Sequence, residues 1–189
     1  MCNGAVDNAS GIALLIAVAR RLAQQPQLDR DVYFLATTAE ESGLLGARAF
    51  VADPPLKLSD IVAAFNADTV ALNPDGATVS VIGRDGSAFD SEIAVVAAAN
   101  GRTIDDSGTG DAYAARQDGA VLAAAGVPTR MITSAFADRF ILDTFLNGRY
   151  HQADDDVEQG VELRGAAMDA DFYVALGRHF GRLSSHPKP

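Results

Sequence analysis

The chain has 189 residues, 48% hydrophobic and 21% charged, which suits one globular domain with its own core. A net charge of −10 argues against nucleic acid or an anionic membrane as partner, because phosphates would be repelled. Cys2 is the only cysteine, so no internal disulfide can form, and no apolar run has the length of a bilayer span.

In chain order, Ile12, Leu15, Ile16, Ala19 and Leu22 recur at helical spacing and predict a helix over 9–25. The apolar run at 32–36 predicts a short buried strand. A short helix is expected over 44–51, stopped by "DPP". A second buried strand is expected over 61–67, ending at Asp68. The turn signal "NPDG" leads into a third strand over 78–82. Residues 89–100 read as a helix stopped by Gly101. A further helix is expected over 111–125, then a fourth strand in "GVPTRMITS" and a long amphipathic helix over 157–183. Strands alternating with helices imply an α/β fold: a three-layer sandwich with a largely parallel mixed sheet and helices on both faces. No repeat or domain boundary interrupts it, so residues 1–189 read as a single domain.

Sites in open α/β sheets gather beyond the C-terminal ends of strands. Glu40 and Glu41 follow one expected strand, Asp68 follows the next, and Asp7 precedes the first helix. His151 comes later in "GRYHQADDD". Taken singly, Asp7 reads as an N-cap, the glutamates as helix-dipole partners and His151 as a surface histidine. Together they need a cation or protons, because converging carboxylates repel. Carboxylates with an imidazole suit zinc, manganese or cobalt. In an extended segment adjacent glutamates point opposite ways, so one can bind metal while the other faces a substrate. There is no Gly-rich phosphate loop and no G-x-S-x-G, which excludes nucleotide-binding and serine-hydrolase readings.

The blocks "NGAVDNASGIA", "TTAEESGLLGA", "AAFNADTV" and "YHQADD", in that order, resemble the signature blocks of metallopeptidase family 28. That family includes zinc aminopeptidases and glutamate-carboxypeptidase-like enzymes. "DGAVLAAAGVP" is similar to a stretch before a late strand in it, and the similarity runs from Asn3 to about Asp156. The resemblance implies that Asp7 bridges two zinc ions and that Glu40 is the general base. It implies that Glu41 and His151 hold one zinc and Asp68 the other, with Asp155 in support. The implied reaction removes N-terminal residues from peptides with a free N-terminus, with one or two zinc ions, manganese or cobalt being substitutes.

Two departures shape the expectation. The family has a His-x-Asp block before the bridging aspartate, whereas six residues without histidine precede Asp7 here. "RQDGA" stands where relatives often show Ser-Asp-His, keeping Asp118 alone. His179 and His186 are not read as ligands. The chain therefore reads as the C-terminal part of a catalytic domain without its first strands. Val32, Phe34, Ile61 and Phe65 are expected to be under-covered, and the chain to form a homo-oligomer. Two alternatives stand beside the peptidase: a single-zinc enzyme on Asp7, Glu41 and His151 that resembles glutaminyl cyclases, and an inactive truncated domain. No basic-then-apolar leader occurs at the start, and the compartment stays open, full-length relatives often being secreted or periplasmic.

Overall fold

The computed structural model describes residues 3–186. Its helices are α1 (Ser10–Ala23), α2 (Leu45–Ala52), α3 (Ala88–Ala99), α4 (Gly119–Ala124), α5 (Arg139–Asn147) and α6 (Leu163–Phe180). Its strands are β1 (Ala64–Asn66), β2 (Thr78–Ile82), β3 (Thr103–Ile104) and β4 (Thr129–Thr133), in the spatial order β1-β4-β2-β3. β1 runs parallel to β4, with Phe65 opposite Arg130. β4 runs antiparallel to β2, with Ile132 opposite Val81, and β2 runs parallel to β3. The sheet is thus mixed, as expected, and no helix is long and apolar enough to cross a membrane.

Strand side chains alternate between faces, and the apolar residues divide accordingly. On one side Val79, Val81 and Ile132 pack with Leu14 and Val18 of α1, Ile93 of α3, and Phe172 and Leu176 of α6. On the other, Ile82 and Met131 meet Leu142 and Phe145 of α5, while Ala64 joins Ala47 of α2 and Leu122 of α4. Helices therefore cover both faces. Phe65 extends the first core, with its ring 5.7 Å from Phe89 and 5.6 Å from Phe180.

One ion pair sits inside this packing. Arg102 Nη2 donates to Asp169 Oδ1 at 2.7 Å, with side chains 3% and 0% exposed. Arg102 Nη1 donates to Met168 O, and the Ser134 N–H and hydroxyl donate to Asp169 Oδ2 at 3.0 and 2.8 Å. The pair thereby joins α6, β3 and the end of β4.

Several elements differ from the sequence expectation. Residues 32–36 form no strand, because nothing among the described residues pairs with their backbone. Apolar composition makes a strand only where a neighbour takes up its N–H and C=O groups. Val32, Tyr33, Phe34 and Leu35 are instead 38% to 62% exposed, whereas Ile61 and Phe65 are half-buried. The expected strand over 61–67 shortens to β1, because only Ala64 to Asn66 pair with β4. The helix expected over 111–125 divides into a 3₁₀ turn at Asp111–Tyr113 and α4, since Gln117 Oε1 accepts from Gly119 N and starts a new helix. The last helix begins at Leu163 rather than 157, after Gly160 turns left-handed at φ 93°. Helix α5 was not expected; its signal was the N-cap, as Asp138 accepts from Ile141 N at 3.0 Å ahead of an apolar stripe. β3, two residues long, carries no periodic signal.

Removing one partner of a buried ion pair strands the other charge, at about 3–5 kcal/mol. Asp169→Ala is expected to lower unfolding free energy by that amount in urea titrations. A loss below about 1 kcal/mol would show that Arg102 finds water instead.

Candidate metal centre

The site is assembled from backbone anchors. The Asp155 carboxylate, 1% exposed, accepts from Val6 N at 3.0 Å and Asp7 N at 3.0 Å, and its own carbonyl accepts from Ala5 N. The Asp7–Asn8 peptide is cis. The Asn8 side chain donates to Ala67 O at 3.0 Å and accepts from Gly11 N at 3.0 Å, which ties the start of α1 to the end of β1. A Cβ on Gly11 would run into Ala67 O and Asn8 Oδ1, so glycine permits this approach. Asp7 is thereby held near Asp68, which follows β1 and accepts from the Thr69 hydroxyl at 3.0 Å.

Glu40 and Glu41 enter from the segment before α2. They lie in a bend and a turn rather than an extended stretch, with Glu40 O accepting from Gly43 N and Leu44 N. Gly46 lets α2 close on this segment, since a Cβ there would stand 2.5 Å from Thr38 N. The Thr37 hydroxyl donates to Asp118, which gives the surviving aspartate of "RQDGA" a positioning role. The two glutamates still part company. Glu41 Oε1 lies 2.6 Å from His151 Nε2, and Asp7 Oδ2 lies 3.3 Å from the same nitrogen. Glu40 stands outside this contact and lines, with Asp7, Glu41, Asp68, Tyr113, Gln117, Met131, Phe136 and Tyr150, a cavity of about 380 Å³. His151 stacks on Tyr150 at 3.7 Å between ring centroids.

Non-glycine residues with left-handed backbone concentrate here: Ala39, Leu44, Thr69 and His151, with φ from 52° to 61°. Each is a site residue, borders one or lines the cavity. Such conformations cost of order 1–3 kcal/mol and persist where surrounding contacts hold them, as these anchors do.

The electrostatics reflect crowded like charges. Burial, then the charges of Asp68 and Glu41, push Asp7 up to about 7 against the pull of His151. Burial, then Glu41, Asp68 and Asp118, likewise push Glu40 up to about 7. Burial raises Asp68 as well, opposed by the Thr69 hydroxyl. Burial and the nearby carboxylates push the Tyr150 phenol up to about 12.

Asp7, Glu41 and His151 each present one donor atom within 4.8 Å of the others. Two carboxylate oxygens and one imidazole nitrogen, with a coordination position left for water or substrate, fit a divalent ion of borderline character. Asp68 lines the same cavity but stands outside this set, and no histidine stands with it. The remaining histidines, His179 and His186, contact Glu92 instead. The sequence candidates therefore divide into three donors that meet, two carboxylates beside them (Glu40 and Asp68), and Asp155 beneath. Sequence reasoning missed Asn8 and Tyr150. Asn8 stands next to Asp7 where a helix begins, which signals its bond to Gly11 N but not its contact with Ala67; Tyr150 showed only as an aromatic beside His151.

Asp155→Ala would leave two backbone N–H groups without their acceptor and release Asp7. Affinity for zinc, read by competition with a chelating dye, is expected to fall about 10–100-fold. Unchanged affinity would remove Asp155 from the site. The pH dependence follows from the raised carboxyls. With no ion bound, the fold favours protonated Asp7 and Glu40 relative to the unfolded chain, where carboxyls ionise near pH 4. Their stabilising contribution is full below about pH 4 and is lost as pH rises through about 7. The ion-free Tm of Asp7→Asn/Glu40→Gln is expected to gain on the unaltered chain as pH rises across that window. A gain independent of pH would contradict the crowding.

The model of peptidase family M28 matches residues 1–172. A zinc aminopeptidase from Bacillus subtilis superposes with a TM-score of 0.75 at 22% identity, over 97% of this chain and 44% of that one. LapB from Legionella pneumophila gives 0.73 at 20% identity, over 94% and 47%. An aminopeptidase from Aneurinibacillus sp. strain AM-1 gives 0.66 at 20% identity, over 90% and 38%. No curated protein matches. The chain spans less than half the length of these solved relatives and shares their fold, and by the family match over residues 1–172 it belongs to peptidase family M28.

Proposed function

We propose that this chain carries the centre of a metal-dependent aminopeptidase, which removes residues from peptides with a free N-terminus. The observation that carries the reading is the division of labour between adjacent glutamates. Glu41 joins Asp7 and His151 in a donor set, while Glu40 stands beside that set in the cavity. Zinc suits the donors, and the Bacillus subtilis relative is a zinc aminopeptidase. Manganese and cobalt accept the same ligands. One ion fits the three donors, whereas a second would rest on Asp7 and Asp68 alone and be held weakly.

When bound, the ion would polarise a peptide carbonyl and acidify a water. The chain's own groups supply the rest. Glu40, a carboxylate in the cavity beside the donor set, is placed to accept a proton and return it to a leaving amine. The carboxylates around the cavity draw in a protonated α-amino group. Met131, Phe136 and Tyr113 offer an apolar wall to the side chain that follows. Asp155 and Asn8 hold Asp7 so that its oxygen keeps its place in the set.

A second reading draws on Asp68 lying outside the three-donor group: a single-ion enzyme that cyclises N-terminal glutamine. One assay separates the two. With zinc supplied, aminoacyl chromogenic substrates should release their reporter, and Glu40→Gln should cut turnover by about 10²–10⁴-fold while zinc affinity holds. Glu41→Ala should lose the ion instead. Pyroglutamate formed without release from other substrates would favour cyclisation, and near-normal turnover in Glu40→Gln would remove its proposed role.

The exposed strip Val32–Leu35 bears on association. Apolar strips with unpaired backbone pair with other chains, and the charge of −10 opposes this less as salt screens it. Light scattering is expected to show an oligomer whose mass grows with ionic strength. A monodisperse monomer at every salt concentration would contradict it.

A further inference from the structure

A second set of donors lies away from the centre described above and shares no residue with it. Glu92 projects from α3, His179 from the last turn of α6, and His186 from the segment after that helix. His179 Nε2 stands 2.9 Å from Glu92 Oε2, and His186 Nδ1 stands 2.8 Å from the same oxygen. All three donor atoms lie within 4.8 Å of one another. Both histidines fall beyond residues 1–172, so family membership does not account for them.

We propose that Glu92, His179 and His186 form a second, structural site for a borderline divalent cation such as zinc or cobalt, which clamps the segment after α6 onto α3. Two imidazole nitrogens and a carboxylate oxygen are the donors such ions take, with a fourth position open to water. Tetrahedral bonds of about 2.0–2.1 Å place donors about 3.3 Å apart, so an ion would draw the two nitrogens slightly away from Glu92 Oε2 and within reach of one centre. The side chains are 20%, 22% and 31% exposed, which leaves a path for an ion yet shields the pair contacts. The ring of Phe180 stands 4.8 Å from His179 and 5.0 Å from His186 and restricts how either imidazole can turn.

The alternative is that the histidines simply share protons with Glu92 and no ion enters. Cobalt separates the two, because its visible absorption reports nitrogen and oxygen ligands directly. The full chain is expected to bind cobalt at both donor sets, and His186→Ala to lower the bound cobalt from two ions to one. In a Glu41→Ala/His151→Ala background, where the first centre is removed, one ion should remain, and adding His179→Ala should abolish it. His186 lies outside the helices, so far-UV circular dichroism of His186→Ala should match the unaltered chain. Zinc should raise the Tm of Glu41→Ala/His151→Ala, and the rise should vanish when His186→Ala is added. Cobalt binding unaffected by His179→Ala and His186→Ala, or no cobalt at all in the Glu41→Ala/His151→Ala chain, would overturn the proposal. Loss of the first ion with retention of this one would count against the aminopeptidase reading alone.

Discussion

Four carboxylates, those of Asp7, Glu40, Glu41 and Asp68, line one cavity, where burial and mutual repulsion oppose the charged forms of Asp7, Glu40 and Asp68 unless a cation offsets them. The raised Asp7, Glu40 and Asp68 carboxyls are the cost of that arrangement in the ion-free chain. Everything around the cavity keeps the groups there despite the repulsion. Asp155 fixes the backbone of Asp7, Asn8 fixes α1 against β1, and Thr37 reaches Asp118 below the glutamates. A site held together against its own charges makes sense as a place prepared for a positive ion.

The fold supplies the rigidity for this. Asp68 sits at the end of a strand that is paired along β4, which is buried along its whole length. Glu41 and His151 stand 110 residues apart in sequence and meet between the turn before α2 and the turn after α5. The buried Arg102–Asp169 pair and the Tyr173 hydroxyl, within reach of the carbonyls of both Asn66 and Ile132, lock α6 to the sheet behind. The three donors are open on one side, with the Glu41 and His151 side chains 57% and 46% exposed. Water and a substrate can reach an ion there, and the same exposure weakens the grip on it.

Much of this was legible in the sequence, for physical reasons that differ from place to place. Helix α1 was readable because apolar residues recur at helical spacing, yet the face it buries is that of Leu14 and Val18, and the expected Ile12 and Ile16 stay exposed; α3 was readable from its Gly101 stop. The site candidates were picked out because Asp7 precedes α1, Asp68 follows β1 and the blocks stand in the order of the family, although the strand expected before Glu40 does not form. The segment 32–36 was not, because apolar composition cannot report whether a neighbouring strand is present to pair with it. Glu40 and Glu41 were expected to part in an extended segment, whereas they lie in a bend and a turn after the left-handed Ala39 and both line the cavity. The role of Asn8 rests on contacts some sixty residues away, at Ala67 and Thr69, which no local pattern contains. The same limit hid the Glu92 cluster, whose members become neighbours only when α6 folds back on α3.

The most direct test of the account is anomalous diffraction at the zinc edge from crystals grown with zinc. The account predicts a peak among Asp7 Oδ2, Glu41 Oε1 and His151 Nε2, about 2.0–2.2 Å from each, with Glu40 facing it but not bonded to it. A direct Glu41–His151 hydrogen bond with no peak between those groups would contradict it.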